Sequence, residues 1–413
     1  MRLIHTSDWH LGQTLKGFDR YREHQVFLDW LLDTLEATEA DALLIAGDIF
    51  DQANPSAEAQ SQYYRFLTGA RRRRPDLDIV VIAGNHDSAG RLDAPRTLLR
   101  DFGVGVVGHY HLREALTDSV LGRLLIPLHN RDGDIAAWTL AVPFMRMGDV
   151  RDGEGRDYIG GLREAYARLA AAASARCANG VALIAMGHLH ARGGAVSEDS
   201  ERRLIIGGEE AVDASIFPPE AAYVALGHLH LPQAVGGNDH IRYSGSPLPL
   251  SFSEIHYPHQ VLQVDLDEGP ARISSLRTPR PAELLRIPAR PRPLDEAIAA
   301  LEAYSFELSE HGLEPLLELQ IREAIVPTDM RARIEAAIQD KPVRLAGIQR
   351  TRPAAAERSN DDTSDHLSSD ARRLDPHYVF EQRLEDIGEV ADRQALLDAF
   401  AELLDAYQQE ASR

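Results

Sequence analysis

The sequence predicts an α/β fold: a two-sheet β-sandwich flanked by helices, then a small α+β capping domain and a C-terminal helical tail. Three observations carry this expectation. The N-terminal quarter alternates short apolar runs with amphipathic stretches, a βαβαβ opening that implies a parallel sheet with right-handed crossovers. The middle of the chain is rich in further short strands. Five apolar runs pass directly into Asp, His or Asn, and four of those segments contain Gly.

Taken in order, residues 2–7 form the first strand and lead into Asp8-Trp9-His10. A helix over about 20–39 follows, with Phe27, Trp30, Leu31 and Leu35 at three- and four-residue spacing. Next comes Leu43-Leu44-Ile45-Ala46-Gly47-Asp48. An unbroken apolar run closed by Gly reads as a strand buried on both faces. It leaves Asp48 at a carboxyl end, where ligands of α/β sheets gather. Pro55 opens a second helix that carries Tyr63, Tyr64, Phe66 and Leu67 and closes on Arg71-Arg72-Arg73-Arg74. Those arginines either complement the helix dipole or reach for phosphate. Ile79–Ala83 then delivers Gly84-Asn85-His86-Asp87.

Val104–Val107, Leu124–Leu128 and Trp138–Val142 have strand character, and an Ala-rich helix spans about 158–178. Val181–Met186 delivers Gly187-His188, and Tyr223–Leu226 delivers Gly227-His228-Leu229-His230. Arg203–Ile206, Ile241–Tyr243, Gln260–Asp265 and Arg272–Leu276 are further strands, and the first domain closes at residue 278. Five prolines between 279 and 293 mark the boundary of the capping domain, residues 279–351, where three strand-like and two helix-like segments alternate. Residues 352–373 are acidic and almost free of large apolar side chains, the composition of a flexible linker. In the tail, residues 374–413, Asp375-Pro376 is a good helix start. One apolar stripe runs through Val379, Phe380, Leu384 and Ile387, another through Leu396, Leu397, Phe400, Leu403, Leu404 and Tyr407. Such a tail either folds back as a helical hairpin or docks on a partner.

The net charge of −20, from 64 acidic and 44 basic residues, argues against stand-alone electrostatic binding to nucleic acid. It leaves room for a local basic groove or a basic partner. With Cys177 as the single cysteine, an internal disulfide and a Cys-based zinc site are excluded, and a reducing compartment is expected. No signal-peptide core and no membrane-spanning stretch is evident, so the expected location is the cytoplasm.

Taken singly, each strand-end motif is weak; Gly84-Asn85-His86-Asp87 by itself could be a surface turn. Together they carry chemistry. Asp8, His10, Asp48, Asn85, His188, His228 and His230 offer carboxylate, imidazole and amide oxygen, with no thiolate. This set suits manganese or iron, and zinc or magnesium is compatible with it. Two ions roughly 3.5–4 Å apart need a shared carboxylate, and Asp48 is the residue expected to supply it.

In that order, Asp8-x-His10, Gly47-Asp48, Gly84-Asn85-His86-Asp87, Gly187-His188 and Gly227-His228-x-His230 resemble the calcineurin-like binuclear metallophosphoesterases. His5 to Gly12, Gly47 to Asp51, Tyr223 to His230 and Tyr243 to Phe252 extend the likeness to DNA-repair nuclease subunits that act beside an ATPase, capping domain and tail included. The resemblance implies a four-layer fold. It implies that Asp8, His10, Asp48 and His230 hold one metal, and Asp48, Asn85, His188 and His228 the other. His86 would contact the scissile phosphate and protonate the leaving oxygen, and Asp87 would orient His86 by hydrogen bonding.

The resemblance further implies a manganese-dependent DNA nuclease, both a 3′→5′ double-strand exonuclease and an endonuclease on single strands or hairpins. An ATPase partner, held by the C-terminal helices, would use the ATP, and a homodimer would form through the helices at about 20–39 and 55–70. The rival within the family is a phosphatase or phosphodiesterase acting on small phosphoesters. Gly47 to Asp51 lacks the Arg-Gly that follows the second Asp in the protein-phosphatase branch. A rival of another class is a metal-binding scaffold that only regulates its partner. His190 repeats the Gly-His-x-His spacing, but the family motif needs only His188 there. Asp51 is expected in a turn or in a supporting role, and His24, His109, His111, His129 and His256 at the surface or in the core.

Overall fold

A computed structural model describes residues 1–150, 157–174, 176–177, 180–192, 211–267, 269–323 and 327–351, with isolated positions at 380, 396 and 400. The chain divides into two compact units, Met1–Thr351 and Arg352–Arg413.

The βαβαβ opening forms as the apolar pattern requires. Strands β1 (Arg2–Thr6), β2 (Ala42–Ala46), β3 (Asp78–Ile82) and β4 (Val104–Val107) run parallel, with Leu3 opposite Ala42, Leu43 opposite Ile79, and Ile79 opposite Val104. Helices α1 (Tyr21–Ala37) and α2 (Ala57–Arg73) make the first two crossovers. Strands β5 (Leu125–His129) and β6 (Ile135–Ala141) precede helix α3 (Tyr158–Ser174). Then follow β7 (Ala182–His188), β8 (Tyr223–Gly227), β9 (Gln233–Val235), β10 (Asn238–Tyr243), β11 (Gln260–Asp265) and β12 (Arg272–Arg277). One six-stranded sheet has the order β12-β11-β1-β2-β3-β4, the other β9-β10-β8-β7-β6-β5.

Alternation along each strand divides the core in two. Leu43, Ile45, Ile79 and Val81 pack under α1 and α2 against Phe27, Leu31, Tyr63 and Phe66. Leu44, Ala46, Val80 and Ile82 turn the other way, into a cluster that includes Val224, Leu226 and the Leu162 and Tyr166 side chains of α3. Both faces of the first sheet are therefore apolar, which is why its strands read as unbroken hydrophobic runs. Most apolar and aromatic residues of α1 and α2 are used within one chain: Phe27, Leu28, Leu31, Tyr63, Phe66 and Leu67 are buried, and Trp30 and Tyr64 partly so. Trp9 stands edge-on to Phe27 and Phe66, with centroids 5.8 and 5.2 Å away.

The arginine run at the end of α2 is tied mostly to its own chain. Arg71 donates to the Leu77 carbonyl, Arg73 pairs with Asp33 and Glu36, and Arg74 donates to the Ala40 carbonyl at 3.1 Å. Of the two readings open at the sequence level, a local structural role therefore fits three of the four.

The cap is a three-stranded parallel sheet, β13 (Leu284–Arg292), β14 (Leu316–Arg322) and β15 (Arg344–Thr351), with helices α4 (Leu294–Ala303) and α5 (Met330–Ile338). Leu301, Leu317, Leu319, Ile321 and Ile334 form its core. Leu284 and Leu316 of the cap also cluster with Leu15 and Phe252. The strand expected at Arg203–Ile206 and the linker at 352–373 lie outside the described residues, as does most of the tail. Phe380 and Phe400, one from each tail stripe, are both helical and stack with centroids 4.1 Å apart. Among the described residues no helix is long and apolar enough to cross a membrane.

Candidate metal centre

Because β1, β2 and β3 are parallel, their carboxyl ends bring Asp8, Asp48 and Asn85 to one edge of the first sheet. Strands β7 and β8 of the second sheet, parallel to each other, end at His188 and Gly227-His228. The chain turns sharply at these ends. Asp8, His10, Asp48 and His228 have φ of 55°, 48°, 50° and 103°, a region that costs a non-glycine residue of order 1–3 kcal/mol. Hydrogen bonds between the turns hold them: Asp8 N–H donates to the Gly47 carbonyl at 3.0 Å, and His10 N–H to that of Asp48 at 3.1 Å. The neighbouring glycines are steric requirements. A Cβ on Gly47, whose φ is +91°, would lie 2.3 Å from His188 Nδ1, and one on Gly84 would lie 2.2 Å from Asp48 Oδ1.

The structure brings all seven sequence-predicted ligand residues together. Donor atoms of Asp8, His10 and His230 lie within 4.8 Å of one another, as do those of Asp8, Asp48 and His188, and those of His10, Asp48 and His86. His188 Nδ1–H donates to the Ala46 carbonyl at 2.9 Å. That leaves His188 Nε2 facing Asp48 Oδ2 at 3.3 Å and Asn85 Oδ1 at 3.0 Å. His228 Nδ1 is also 3.0 Å from Asn85 Oδ1, and its backbone N–H donates to the Asp8 carboxylate. His230 Nδ1 meets Glu254 Oε1 at 2.9 Å, which directs Nε2 away from that carboxylate. His10 Nε2 is buried without a hydrogen-bond partner, 3.6 Å from Asp48 Oδ2.

Several lone pairs thus converge on one buried point, an arrangement that a bound cation would satisfy. Burial opposes charge on Asp48, yet His188, His10 and His86 hold its carboxyl far below the usual carboxylate range. Burial likewise opposes charge on His188, but Asp48 lifts its pKa to about 9. An unpaired donor, an all-N/O ligand set and a site that draws positive charge fit divalent metal ions.

The described contacts of Asp87 differ from the part that the resemblance implies. Its carboxylate accepts from the backbone N–H groups of Gly84 at 2.9 Å, Phe50 at 3.0 Å and Ile49 at 3.2 Å, rather than from the His86 ring. Three amides converge on it because the turns after β2 and β3 lie back to back, so Asp87 joins those turns. Burial and the neighbouring Asp48 push its pKa up to about 6. The ring of His86 is instead aligned by Asp51, whose carbonyl accepts from Nδ1 at 2.8 Å. The Asp51 carboxylate lies 3.3 Å from His10 Nδ1. Burial works against its charge, but the His10 bond holds its pKa below the ordinary value. Asp51 is thus a supporting residue on two sides.

Glu254 was not singled out by the sequence. It is fully buried, and its second oxygen accepts from Leu250 N–H at 2.8 Å while the first orients His230. The available signal was an acidic residue just beyond the Tyr243-to-Phe252 stretch. The ring of His190 lies 6.4 Å from that of His228, and His190 belongs to none of the donor groups among the described residues.

Two family models match the chain. The calcineurin-like phosphoesterase model matches residues 1–232, and a model described as a type 5 capsule protein repressor C-terminal domain matches residues 280–387. The chain belongs to the calcineurin-like phosphoesterase family. Within it, the chain is 45% identical to the SbcD component of the SbcCD nuclease of Rhodobacter capsulatus, over 86% of this chain and 89% of that one. Identity to the Escherichia coli K12 SbcD protein is 32%, over 85% and 86%. The Bacillus subtilis protein of the same name is 37% identical, over 65% and 67%. The branch to which the chain belongs is therefore that of the SbcD nucleases.

Proposed function

We propose that this chain is the metal-dependent nuclease component of an SbcCD-type DNA repair complex. It hydrolyses DNA phosphodiesters, as a 3′→5′ exonuclease on double strands and as an endonuclease on single strands or hairpins. The observation that carries this reading is the convergence of carboxylate, amide and imidazole donors around Asp48. Asp8, His10, Asp48 and His230 would hold one divalent ion, and Asp48, Asn85, His188 and His228 the second, with manganese the best match to these ligands. When bound, such a pair polarises the phosphate and acidifies the attacking water. His86 is half-buried, as is Asn85, where the other six ligand residues are buried. A protonated His86 ring keeps Nδ1–H on the Asp51 carbonyl and offers Nε2–H to the leaving oxygen.

An SbcC-type ATPase, held by the tail at 374–413, supplies the ATP dependence and most of the grip on DNA. The net charge of −20 supports that division of labour. A homodimer through α1 and α2 is supported by the family resemblance, and of their aromatic side chains Trp30 and Tyr64 are only partly buried. The cytoplasm is the site of action consistent with a DNA substrate and a single cysteine.

The test is a plasmid-nicking assay with Mn2+ beside a small phosphomonoester assay. Nicking without appreciable monoester turnover is expected. Monoester turnover without nicking would instead support a phosphatase or small-ester phosphodiesterase.

A further inference from the structure

Away from the cleft, one other group of described donors converges. Potential ligand atoms of His109, His111 and Glu114, which follow β4, lie within 4.8 Å of one another. The local sequence builds this cluster. Tyr110 is buried in the core, so the histidines on either side of it turn outward together, half-exposed, with ring centroids 5.5 Å apart. A turn closed by Glu114 N–H on the His111 carbonyl at 2.9 Å then brings the Glu114 carboxylate back to His111 N–H at 3.3 Å. The loop is tethered on both sides. Gly108 N–H donates to Asp93 Oδ1 at 2.8 Å, and Leu112 N–H to the Asp149 carbonyl at 2.8 Å.

Both imidazoles are also oriented from behind. His109 Nδ1 is 2.7 Å from Asp93 Oδ2, and His111 Nδ1 is 2.8 Å from Asp149 Oδ1. A histidine that gives Nδ1–H to a carboxylate keeps the Nε2 lone pair and a fixed ring orientation, which is how proteins prepare imidazole for a metal. Arg123 touches Glu114 at 2.6 Å, Arg96 lies 3.6 Å from Asp93 and Arg168 donates to the Glu114 carbonyl at 3.1 Å, so three guanidiniums stand against the carboxylates of Asp93, Glu114 and Asp149.

We propose that His109, His111 and Glu114 form a further metal site of the zinc type, separate from the binuclear centre. Two imidazoles and one carboxylate, with a position left open, suit Zn2+. Binding displaces Arg123 from Glu114 and draws three half-exposed or partly buried side chains together.

The experiment measures the zinc content of metal-stripped full-length chain after dialysis against micromolar Zn2+. Relative to wild type, the His109→Ala/His111→Ala double variant is expected to lose one zinc equivalent while its Mn2+-dependent nicking is unchanged. Asp48→Asn keeps that equivalent, and the double substitution made in Asp48→Asn removes it. Glu114→Gln, a milder change, lowers the affinity of the same equivalent. Unaltered zinc binding in the double variant or in Glu114→Gln overturns the site. Equal zinc in wild type and Asp48→Asn would instead defeat the binuclear reading and leave this one standing.

Discussion

The strand ends of the first sheet bring Asp8, Asp48 and Asn85 to the cleft, whereas those of the second bring imidazoles alone: His188, His228 and His230. The two sides are also secured differently. On the first side Asp8, His10 and Asp48 all sit at positive φ, held by backbone hydrogen bonds between adjacent turns, whereas on the second side only His228 does. On the second, rings are aimed by acceptors behind them, the Ala46 carbonyl for His188 and Glu254 for His230. Placing charge in a buried cleft calls for backbone that cannot relax away. Placing a neutral donor calls only for a fixed tautomer. The contrast implies that damage to the first side is global, and damage to the second graded.

Asp48→Asn is the severest break. Asp48 faces His10, His86 and His188 at once, so both metals should be lost together and nicking should fall by roughly 10³-fold or more, an effect of several kcal/mol. His86→Ala is the companion measurement: turnover should fall ~10²–10⁴-fold while metal content, read by mass spectrometry, stays at the wild-type level. Loss of metal in His86→Ala would show that His86 is a ligand, as its place beside His10 and Asp48 permits.

Glu254→Gln probes the second side. The His230 ring remains but its orienting charge is gone, and affinity for one metal should weaken roughly 10–100-fold. A metal titration that shows both ions weakened equally would erase the distinction between the sides.

The smallest expected effect concerns the seam between the sheets. His5 of β1 is fully buried and bonds through Nδ1 to Tyr223 Oη of β8 at 2.8 Å. Burial lowers its pKa from 6.5 to about 3. The unfolded chain therefore binds more protons than the folded one between those values, and stability must fall as pH drops through that window, by roughly 1.4 kcal/mol per pH unit. Urea midpoints of metal-free protein between pH 7 and 5 should decline less steeply for His5→Gln than for wild type. His24, lowered to about 3 chiefly by burial, bends both curves alike. Equal slopes would mean that His5 protonates without unfolding.

Much of the fold, and the residues that converge in the cleft, was legible in the sequence, for a local reason. An apolar run long enough to be a strand, followed at once by Gly and then Asp, Asn or His, specifies both the element and what stands at its end. Glycine beside the ligand is part of that signal, since no Cβ fits at Gly47 or Gly84. The sequence by itself therefore determined the sandwich, the cap and the seven residues that meet in the cleft. Only the tertiary structure decided what supports them. Asp87 sits beside His86 in the chain but answers to the amides of Ile49 and Phe50, while Asp51, 35 positions away, aligns His86. Glu254, 24 positions beyond His230, orients that imidazole from another segment. A side chain bonds to whatever donor or acceptor the fold sets within about 3 Å of it, and adjacency in sequence does not set that distance.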